Sequence, residues 1–162
     1  MQGIVVVTTK WEKEMNLIDE TLEMWEQDGV IDQFKLDDTT IKMASMHSKY
    51  LGLITKCKLT KKKLDLDYKT LLKNKWLYYN GKMSQEEIES FGWEFDPFKG
   101  LKILKGDMNY YYDADVDIQK AQAKLEYYKV YEETLKEILD TIRWRHQNIG
   151  NIIKWRSFEA GV

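Results

Sequence analysis

Cysteine and histidine are scarce in this sequence of 162 residues, and their scarcity excludes several kinds of site. Cys57 is the only cysteine, so the chain contains no intrachain disulfide, which fits a reducing compartment. Two histidines, His47 and His146, lie far apart, and neither they nor Cys57 have the spacing of metal ligands. The sequence therefore predicts neither a metal site nor a cofactor, and Cys57 is expected to be a small buried apolar residue.

Glycine-rich phosphate loops and long apolar runs are also absent. No segment matches the Walker or the dinucleotide-binding pattern, so the parts of a catalytic site are missing and we expect a protein that is not an enzyme. No stretch approaches the roughly 18 apolar residues that a membrane span needs. The apolar residues 3–7 are too few for a signal peptide. We therefore expect a soluble protein of the cytoplasm.

Proline occurs once, which leaves long stretches free to form helix. Apolar residues recur at steps of three and four, and this spacing predicts a mainly α, single-domain protein in which two long antiparallel helices form a hairpin. Ser84 and Glu87 have the spacing of a capping box, which predicts a short helix that ends before Gly92. Around Lys105 the pattern also fits a small β-hairpin. The predicted segments are a short acidic helix (10–27), a long basic helix (39–80), an irregular connector (81–113) and a long C-terminal helix (115–158).

Positive charge is concentrated in one segment, although the whole chain has a net charge of only −2. Residues 39–82 contain eleven lysines and two aspartates, a net charge of +9. Residues 1–38 carry −7 and residues 83–117 carry −6. Such a segment attracts a polyanion, or it holds neighbouring copies of the chain together through their acidic segments.

Four lysines of the long basic helix share one side of it. At about 100° per residue they fall within a sector of roughly 60°, on the order of 130° away from the apolar stripe through Cys57, Leu64 and Leu71. A nucleic-acid strand along this sector, about 22 Å long, would bring each lysine near a phosphate. An ordinary solvated helix face is the alternative, although such faces usually mix their charges. We call these lysines the basic row: Lys58, Lys62, Lys69 and Lys73.

Two groups of aromatic and basic residues are further candidates for nucleic-acid contact. Because bases of any sequence stack on aromatic rings, Trp76 and Tyr79 are candidates for stacking and Lys75 for phosphate contact. Near the C-terminus, Arg143 and Arg145 are of the type that pairs bidentately with phosphate. Packing against a neighbour explains Trp76 equally well, and cations near a helix C-terminus also stabilise the helix dipole.

Several short pieces match a known family in their order and spacing. They lie between residues 31 and 81 and again from residue 114 to the end, and the two stretches align without gaps. The pieces are Ile31-Asp32 with Lys35-Leu36, Ser48-Lys49-Tyr50-Leu51, Tyr78-Tyr79-Asn80-Gly81 and Phe158-Glu159-Ala160-Gly161. With these pieces the chain resembles the UvsY family, the recombination mediators of T-even-type bacteriophages.

The family carries a Lys-Ala-Arg-Leu motif implicated in single-stranded DNA binding, and it falls on residues 73–76 here. Lys73 matches the first position of the motif. Lys75 keeps the charge of the third position but lacks the planar guanidinium that pairs bidentately with phosphate. Trp76 replaces an aliphatic residue and adds a stacking surface. The connector is longer than is usual in the family, so the resemblance implies a local elaboration at residues 92–112.

The resemblance implies an adaptor that performs no chemistry. Members of the family form ring-like homo-oligomers, so a hexamer or heptamer is expected. They bind strand coated with single-stranded DNA-binding protein, weaken that coat and help a RecA-like recombinase to assemble, here in the cytoplasm of the infected host cell. The long helices would supply the oligomer interface, to which we assign Leu135, Leu139, Ile142, Ile149 and Ile153.

Two functions stay open on sequence alone. A mediator that binds single-stranded DNA predicts strand binding that weakens steeply with salt, because counterions are released at several phosphates. A helical scaffolding protein that binds only protein partners would instead pair its basic segment with acidic segments of neighbouring copies. Ionic self-pairing of that kind predicts an oligomer that dissociates at high salt.

Overall fold

Helices make up most of the part of the protein that the structure describes. The computed structural model describes residues 16–161, and within this range it contains five α-helices and no β-strand. The predicted mainly α fold is therefore confirmed. In chain order the helices are α1 (Leu17–Asp28), α2 (Leu36–Tyr79), α3 (Gln85–Phe91), α4 (Met108–Ala114) and α5 (Val116–Glu159).

Two long helices, α2 and α5, contain 44 residues each. Helix α2 begins at Leu36, three residues before the predicted start, and α5 begins and ends one residue later than predicted. Gly52 and Gly150 lie inside these helices without interrupting them. The reason is packing: on α2 the buried residues Tyr50, Ile54 and Cys57 follow steps of four and three, so tertiary contacts outweigh the low helix propensity of one glycine.

The short helix α1 covers only part of the predicted segment, since residues 10–15 lie outside the described range. It ends at Gly29, whose N–H donates a hydrogen bond to the Trp25 carbonyl at 2.6 Å. A Cβ at this position would lie 2.7 Å from the same oxygen, so this close approach requires glycine.

The chain divides into two compact units, and each contains part of both long helices. The first unit comprises the described residues of Met1–Leu59 and Tyr127–Val162, and the second is Thr60–Glu126. In the first unit the Cys57 thiol contacts the Tyr128 carbonyl at 3.5 Å. In the second unit, Gln122 donates a hydrogen bond to the Tyr68 hydroxyl at 2.8 Å. Arg145 also contacts Met46 in the first unit, and Lys75 pairs with Asp115 in the second, so within each unit α2 and α5 are antiparallel neighbours.

The core of the first unit lies between α2, α5 and α1. Trp25 of α1 packs edge-on against Tyr50, with ring centroids 5.7 Å apart, and the Thr21 and Tyr131 hydroxyls share a buried hydrogen bond of 3.1 Å. Cys57 is buried, as predicted. The remaining buried apolar residues of this core are Ile54, Leu135, Ile138, Leu139 and Ile142.

The second unit contains the connector, which packs on the end of α2. The predicted capping box is confirmed: Ser84 accepts a hydrogen bond from the Glu87 N–H, and the Glu87 carboxylate accepts one from the Ser84 N–H. Helix α3 ends at Phe91, before Gly92, as predicted. Trp93 then follows and stacks on Phe91, with ring centroids 4.5 Å apart. The Tyr78 hydroxyl fixes Glu94, the residue after Trp93, by donating a hydrogen bond to its carbonyl at 2.7 Å.

The predicted β-hairpin in the connector is wrong. Residues 101–104 have no regular secondary structure, and residues 108–114 form α4. Tyr111 and Tyr112 both contact the Tyr79 ring, at centroid distances of 6.4 and 5.5 Å. A strand would direct these adjacent side chains to opposite faces, and an isolated two-stranded hairpin is marginally stable, so the helix buries more aromatic surface.

Candidate nucleic-acid interface

All four lysines of the basic row are exposed on α2. Lys58 belongs to the first unit, and the other three belong to the second. The Lys62 and Lys69 side chains are 68% and 63% exposed, so both ammonium groups are available to a ligand in solvent. The sequence predicted the exposure of these lysines from their helical phase alone. Helical phase was enough to predict it because α2 is continuous through these residues.

Asp65 interrupts the positive charge of the basic row. Its carboxylate lies 2.9 Å from the Lys69 ammonium and 3.7 Å from that of Lys62. The hydrogen bond from Lys69 lowers the pKa of Asp65 below its usual value. Within residues 16–161, Lys58 and Lys73 form no ion pair, so the two ends of the row carry uncompensated charge.

Lys75, predicted to contact phosphate, is not on the surface. Its side chain is 4% exposed, and its ammonium lies 2.8 Å from the carboxylates of both Asp115 and Asp117. The Trp93 ring covers it at 4.0 Å from the centroid. The cause is helical phase, because Lys75 lies 18 residues, or about five whole turns, after buried Cys57. Burial raises the pKa of Asp115, but hydrogen bonds from Lys75 and Tyr79 outweigh this and hold that pKa below its usual value.

Tyr79, predicted to stack on a base, is held within the connector. Its hydroxyl donates a hydrogen bond to Asp115 at 2.7 Å, and burial, with Asp115, raises its pKa. Phe98 and Tyr112 lie against its ring, with centroids 5.6 and 5.5 Å away. These contacts leave Tyr79 half-buried, and its stacking on a base stays a prediction.

Trp76, by contrast, is 45% exposed and borders a groove of about 540 Å³ in the second unit. It lies on the same side of α2 as the lysines of the basic row in this unit, since it follows Lys69 by seven residues, or about two whole turns. We call this cavity the Trp76 groove. Its other lining residues are Asn80, Lys82, Lys105, Met108, Asn109 and Tyr112.

The turn after α2 builds one wall of the Trp76 groove. Gly81 adopts the left-handed conformation, with φ of 62°. This conformation lets the Lys82 N–H donate to the Leu77 carbonyl at 2.8 Å and the Gly81 N–H donate to the Tyr78 carbonyl at 3.1 Å. These two hydrogen bonds form a Schellman motif. The chain therefore turns back, and the Lys82 ammonium comes to lie 4.3 Å from the Trp76 ring centroid. At such an exposed site the cation–π contact contributes about 0.5–1 kcal/mol.

Sequence reasoning missed the groove lysines, Lys82 and Lys105, and the amide of Asn109. A signal for Lys82 was present, because a lysine directly after a helix-ending glycine is brought back over the last turn. No such signal marked Lys105 or Asn109. Their position depends on the fold of the connector, where a hairpin was predicted instead of α4.

The two arginines near the C-terminus differ in their surroundings. Arg145 is buried and donates to the backbone carbonyls of Asp28 and Val30, where it satisfies acceptors at the end of α1. It is therefore a structural residue, contrary to the predicted role in DNA binding. Arg143 is exposed and pairs with Asp140 at 2.9 Å, so its contact with DNA stays a prediction.

Four of the five predicted oligomer-interface residues are buried within the chain. Ile149 is 4% exposed, and Leu135, Leu139 and Ile142 belong to the core of the first unit. Only Ile153 is exposed, at 50%. Trp155 and Phe158 are exposed beside it, and their ring centroids are 5.9 Å apart. The buried four are Leu135, Leu139, Ile142 and Ile149.

Other kinds of site receive no support from the described part of the chain. Among residues 16–161, no group of three or more His, Cys, Asp or Glu side chains is arranged to hold a metal ion. No helix in this same range combines the length and apolar character of a membrane span.

Comparison with known proteins finds a curated relative and solved structures that are similar to this chain. A curated relative, the recombination protein UvsY of Enterobacteria phage T4, is 26% identical over 144 residues, which cover 89% of this chain and 98% of the relative. A crystal structure of the bacteriophage T4 recombination mediator protein UvsY, in lattice type II, matches 88% of this chain and 97% of its own, with 25% identity and a TM-score of 0.74. Lattice type I of the same protein matches with 25% identity and a TM-score of 0.73, over 86% of this chain and 98% of its own.

A family model described as "Recombination, repair and ssDNA binding protein UvsY" matches residues 24–162. That range includes both long helices, the basic row and the Trp76 groove. The chain therefore belongs to the UvsY family of recombination, repair and single-stranded DNA-binding proteins.

Proposed function

We propose that this protein is a recombination mediator that holds single-stranded DNA along the basic row and helps to load a RecA-like recombinase. The observation that carries the proposal is the exposed basic row on α2 in a chain of a single-stranded DNA-binding family. Family membership also argues against the alternative of a scaffold that binds only protein partners.

The chemistry of the row suits reversible binding. Each lysine is a point charge on a flexible stem, and each phosphate contact releases a counterion without reading the base. Asp65 keeps two of the lysines paired in the free protein, which weakens each contact. Weak contacts suit a mediator, because the strand must pass to the recombinase afterwards.

Handing over the strand requires a second step, in which a coat of single-stranded DNA-binding protein is loosened. The T4 relative is described as a recombination mediator, and the present chain spans 98% of the curated T4 protein. We extend that role to this chain: it binds coated strand, weakens the coat and favours recombinase assembly, all without an enzymatic step.

Assembly of several copies would supply the overall affinity. We propose a ring-like homo-oligomer, a hexamer or heptamer, in which each copy contributes one basic row and the strand is held by avidity. Four of the residues first assigned to the interface are buried in the chain. The proposal therefore moves the interface to the exposed apolar residues Ile153, Trp155 and Phe158 near the end of α5.

The test is fluorescence anisotropy of a labelled single strand, titrated at several salt concentrations beside a duplex of equal length. We expect preference for the single strand, and a logarithm of affinity that falls linearly with the logarithm of salt. The double substitution Lys62→Ala with Lys73→Ala should reduce that slope by about 1.4, at about 0.7 for each phosphate contact of a single strand.

A matched control comes from the same helix. Lys56 and Lys63 are exposed lysines that lie about 80–160° around α2 from the basic row. Their double substitution with alanine removes the same charge but should leave the salt slope nearly unchanged. Equal losses for the two double variants would show that only net charge matters, and the basic row would be rejected as the binding surface.

A further inference from the structure

We propose that the Trp76 groove binds one nucleotide of single-stranded DNA, with its base stacked on Trp76 and its phosphates near Lys82 and Lys105. This inference rests on the proposed function, because it names the part of the strand that the second unit recognises. It adds base contact to a surface that otherwise offers only charge.

Exposure of Trp76 is the first argument. Trp25 and Trp93 are packed against other rings, with centroid distances of 5.7 and 4.5 Å to Tyr50 and Phe91. Trp76 contacts no aromatic ring within residues 16–161, although it lies beside an aromatic cluster. An indole that is 45% exposed at the edge of a groove offers the flat apolar surface on which an unpaired base stacks.

The charge of the groove is the second argument. Its lining includes two lysines and no acidic residue. Within the described range neither Lys82 nor Lys105 forms an ion pair. The Lys82 ammonium rests over one face of the Trp76 ring, 4.3 Å from its centroid, so a base would stack on the other face with this cation close by. A flat aromatic ligand with negative charge fits this lining, and a nucleotide has both properties.

Position along α2 is the third argument. Trp76 follows Lys73 by three residues, a rise of about 4.5 Å, and it lies in the angular sector of the basic row. A strand bound to Lys62, Lys69 and Lys73 therefore enters the groove without changing direction around the helix. Its volume of about 540 Å³ is within the usual range for small-ligand sites, roughly 300–1,000 Å³.

Amide groups of the groove allow contact with the base edge. Asn80 and Asn109 line it, and an amide side chain offers both a donor and an acceptor. The Asn80 Nδ2 donates to the Trp76 carbonyl at 2.7 Å, which fixes this side chain and leaves its oxygen as an acceptor. Every base has hydrogen-bonding edges that an amide can contact, and every base has a flat face that can stack. We therefore expect the groove to show little sequence preference.

The test compares two strands of equal length, an oligothymidylate and a strand of abasic sites that keeps every phosphate. Trp76→Leu should weaken binding of the oligothymidylate about tenfold and leave binding of the abasic strand unchanged. Trp76→Phe, which keeps an aromatic face, should restore most of the affinity. Tyr110→Leu is the matched control, because Tyr110 is a 75% exposed aromatic residue of the same unit that does not line the groove.

Salt dependence separates the parts of the site. Lys82→Ala and Lys105→Ala should each lower the salt slope by about 0.7 on both strands, whereas Trp76→Leu should leave it unchanged. If Trp76→Leu binds both strands as the wild type does, or loses affinity for both equally, base stacking in the groove is refuted while the basic row stands. If the wild type binds neither strand in dilute buffer, the proposed function itself fails.

Discussion

Lys73 and Lys75 are two residues apart on α2 and have opposite surroundings. Lys73 is exposed, whereas the Lys75 side chain is 4% exposed and paired with Asp115 and Asp117. Removing one partner of a buried ion pair leaves the other charge uncompensated, which costs about 3–5 kcal/mol. Lys75→Met should therefore lower the free energy of unfolding by about that amount, as measured by urea denaturation.

Lys73→Met is the control for that experiment. Its exposed side chain forms no ion pair within the described residues, so we expect stability to change by at most about 0.5 kcal/mol. Adding Asp115→Asn to Lys75→Met removes the stranded charge, while the side-chain oxygen can still accept the N–H bonds of Asp117 and Ile118. The double variant should regain part of the lost stability. If Lys75→Met is as stable as the wild type, the buried pair contributes nothing.

Asp65 is the residue whose removal should strengthen DNA binding. It pairs with Lys69 at 2.9 Å and with Lys62 at 3.7 Å, and a strand must compete with it for both. Exposed ion pairs are weak, so Asp65→Asn should raise the affinity for single-stranded DNA by at most about fivefold at low salt. Anisotropy titration measures this change directly.

Asp67 provides the comparison for Asp65. It is exposed on the same helix but lies about 160° around it from Asp65. Asp67→Asn removes the same negative charge without releasing a lysine of the basic row, so its effect should be smaller. Equal gains from the two substitutions would mean that net charge, and not release of Lys62 and Lys69, controls the affinity.

Residue surroundings were predictable where helical phase alone decides them. Phase placed Lys58, Lys62 and Lys73 on the outside and Cys57 on the inside, as the structure does. Lys75 was predicted to contact phosphate because it aligns with a basic position of the family motif. Its helical phase, which matches that of Cys57, indicated burial instead. Its partners Asp115 and Asp117 lie forty or more residues along the chain, and no local pattern links them to it.

At the scale of elements, Arg145 connects α5 to the end of α1. It donates to the Asp28 and Val30 carbonyls, acceptors that α1 itself cannot satisfy. Arg145→Met would remove the donor of both part-buried hydrogen bonds, and a hydrogen bond from a charged group contributes about 1.5–3 kcal/mol. We therefore expect the Arg145 variant to have a clearly lower melting temperature. Its affinity for single-stranded DNA should be unchanged at temperatures where the variant is folded.

Arg143→Met is the paired control. Arg143 is exposed and makes one ion pair with Asp140, so its loss should change the melting temperature little. The two substitutions thus separate stability from binding. Should Arg145→Met melt like the wild type but bind DNA less tightly, the role first predicted from the sequence would be correct after all.

Elements differ in how far the sequence predicts them. The long helices were predictable to within three residues, because apolar residues repeat over more than ten turns. Helix α4 was not, because its contacts are tertiary: Tyr111 and Tyr112 pack on Tyr79, far away in sequence. The apolar stripe of α5 was recognised correctly, but sequence alone could not tell whether it faces the same chain or a neighbouring copy.

For the whole molecule, salt has opposite consequences for strand binding and for self-assembly. Lysine–phosphate contacts weaken as salt rises, because counterion release then gains less free energy. An interface built from apolar residues such as Ile153, Trp155 and Phe158 persists, whereas one built from complementary charge dissociates. An oligomer that keeps its size at high salt while it releases DNA would agree with the proposed arrangement.

Avidity gives the strongest test of that arrangement. Phe158 is 76% exposed, and Phe158→Asp would place a charge in the proposed interface between copies. We expect smaller particles in sedimentation velocity, and a loss on the order of 10²-fold in affinity for a long single strand, since linked sites contribute gains of that size. Binding of an oligonucleotide no longer than one basic row should be unchanged, because it contacts one copy only. Ser157→Asp adds the same charge to the neighbouring exposed residue and should leave both measurements near those of the wild type. If Phe158→Asp keeps its particle size, the interface lies elsewhere; if it dissociates yet binds long strands undiminished, affinity does not depend on the number of copies.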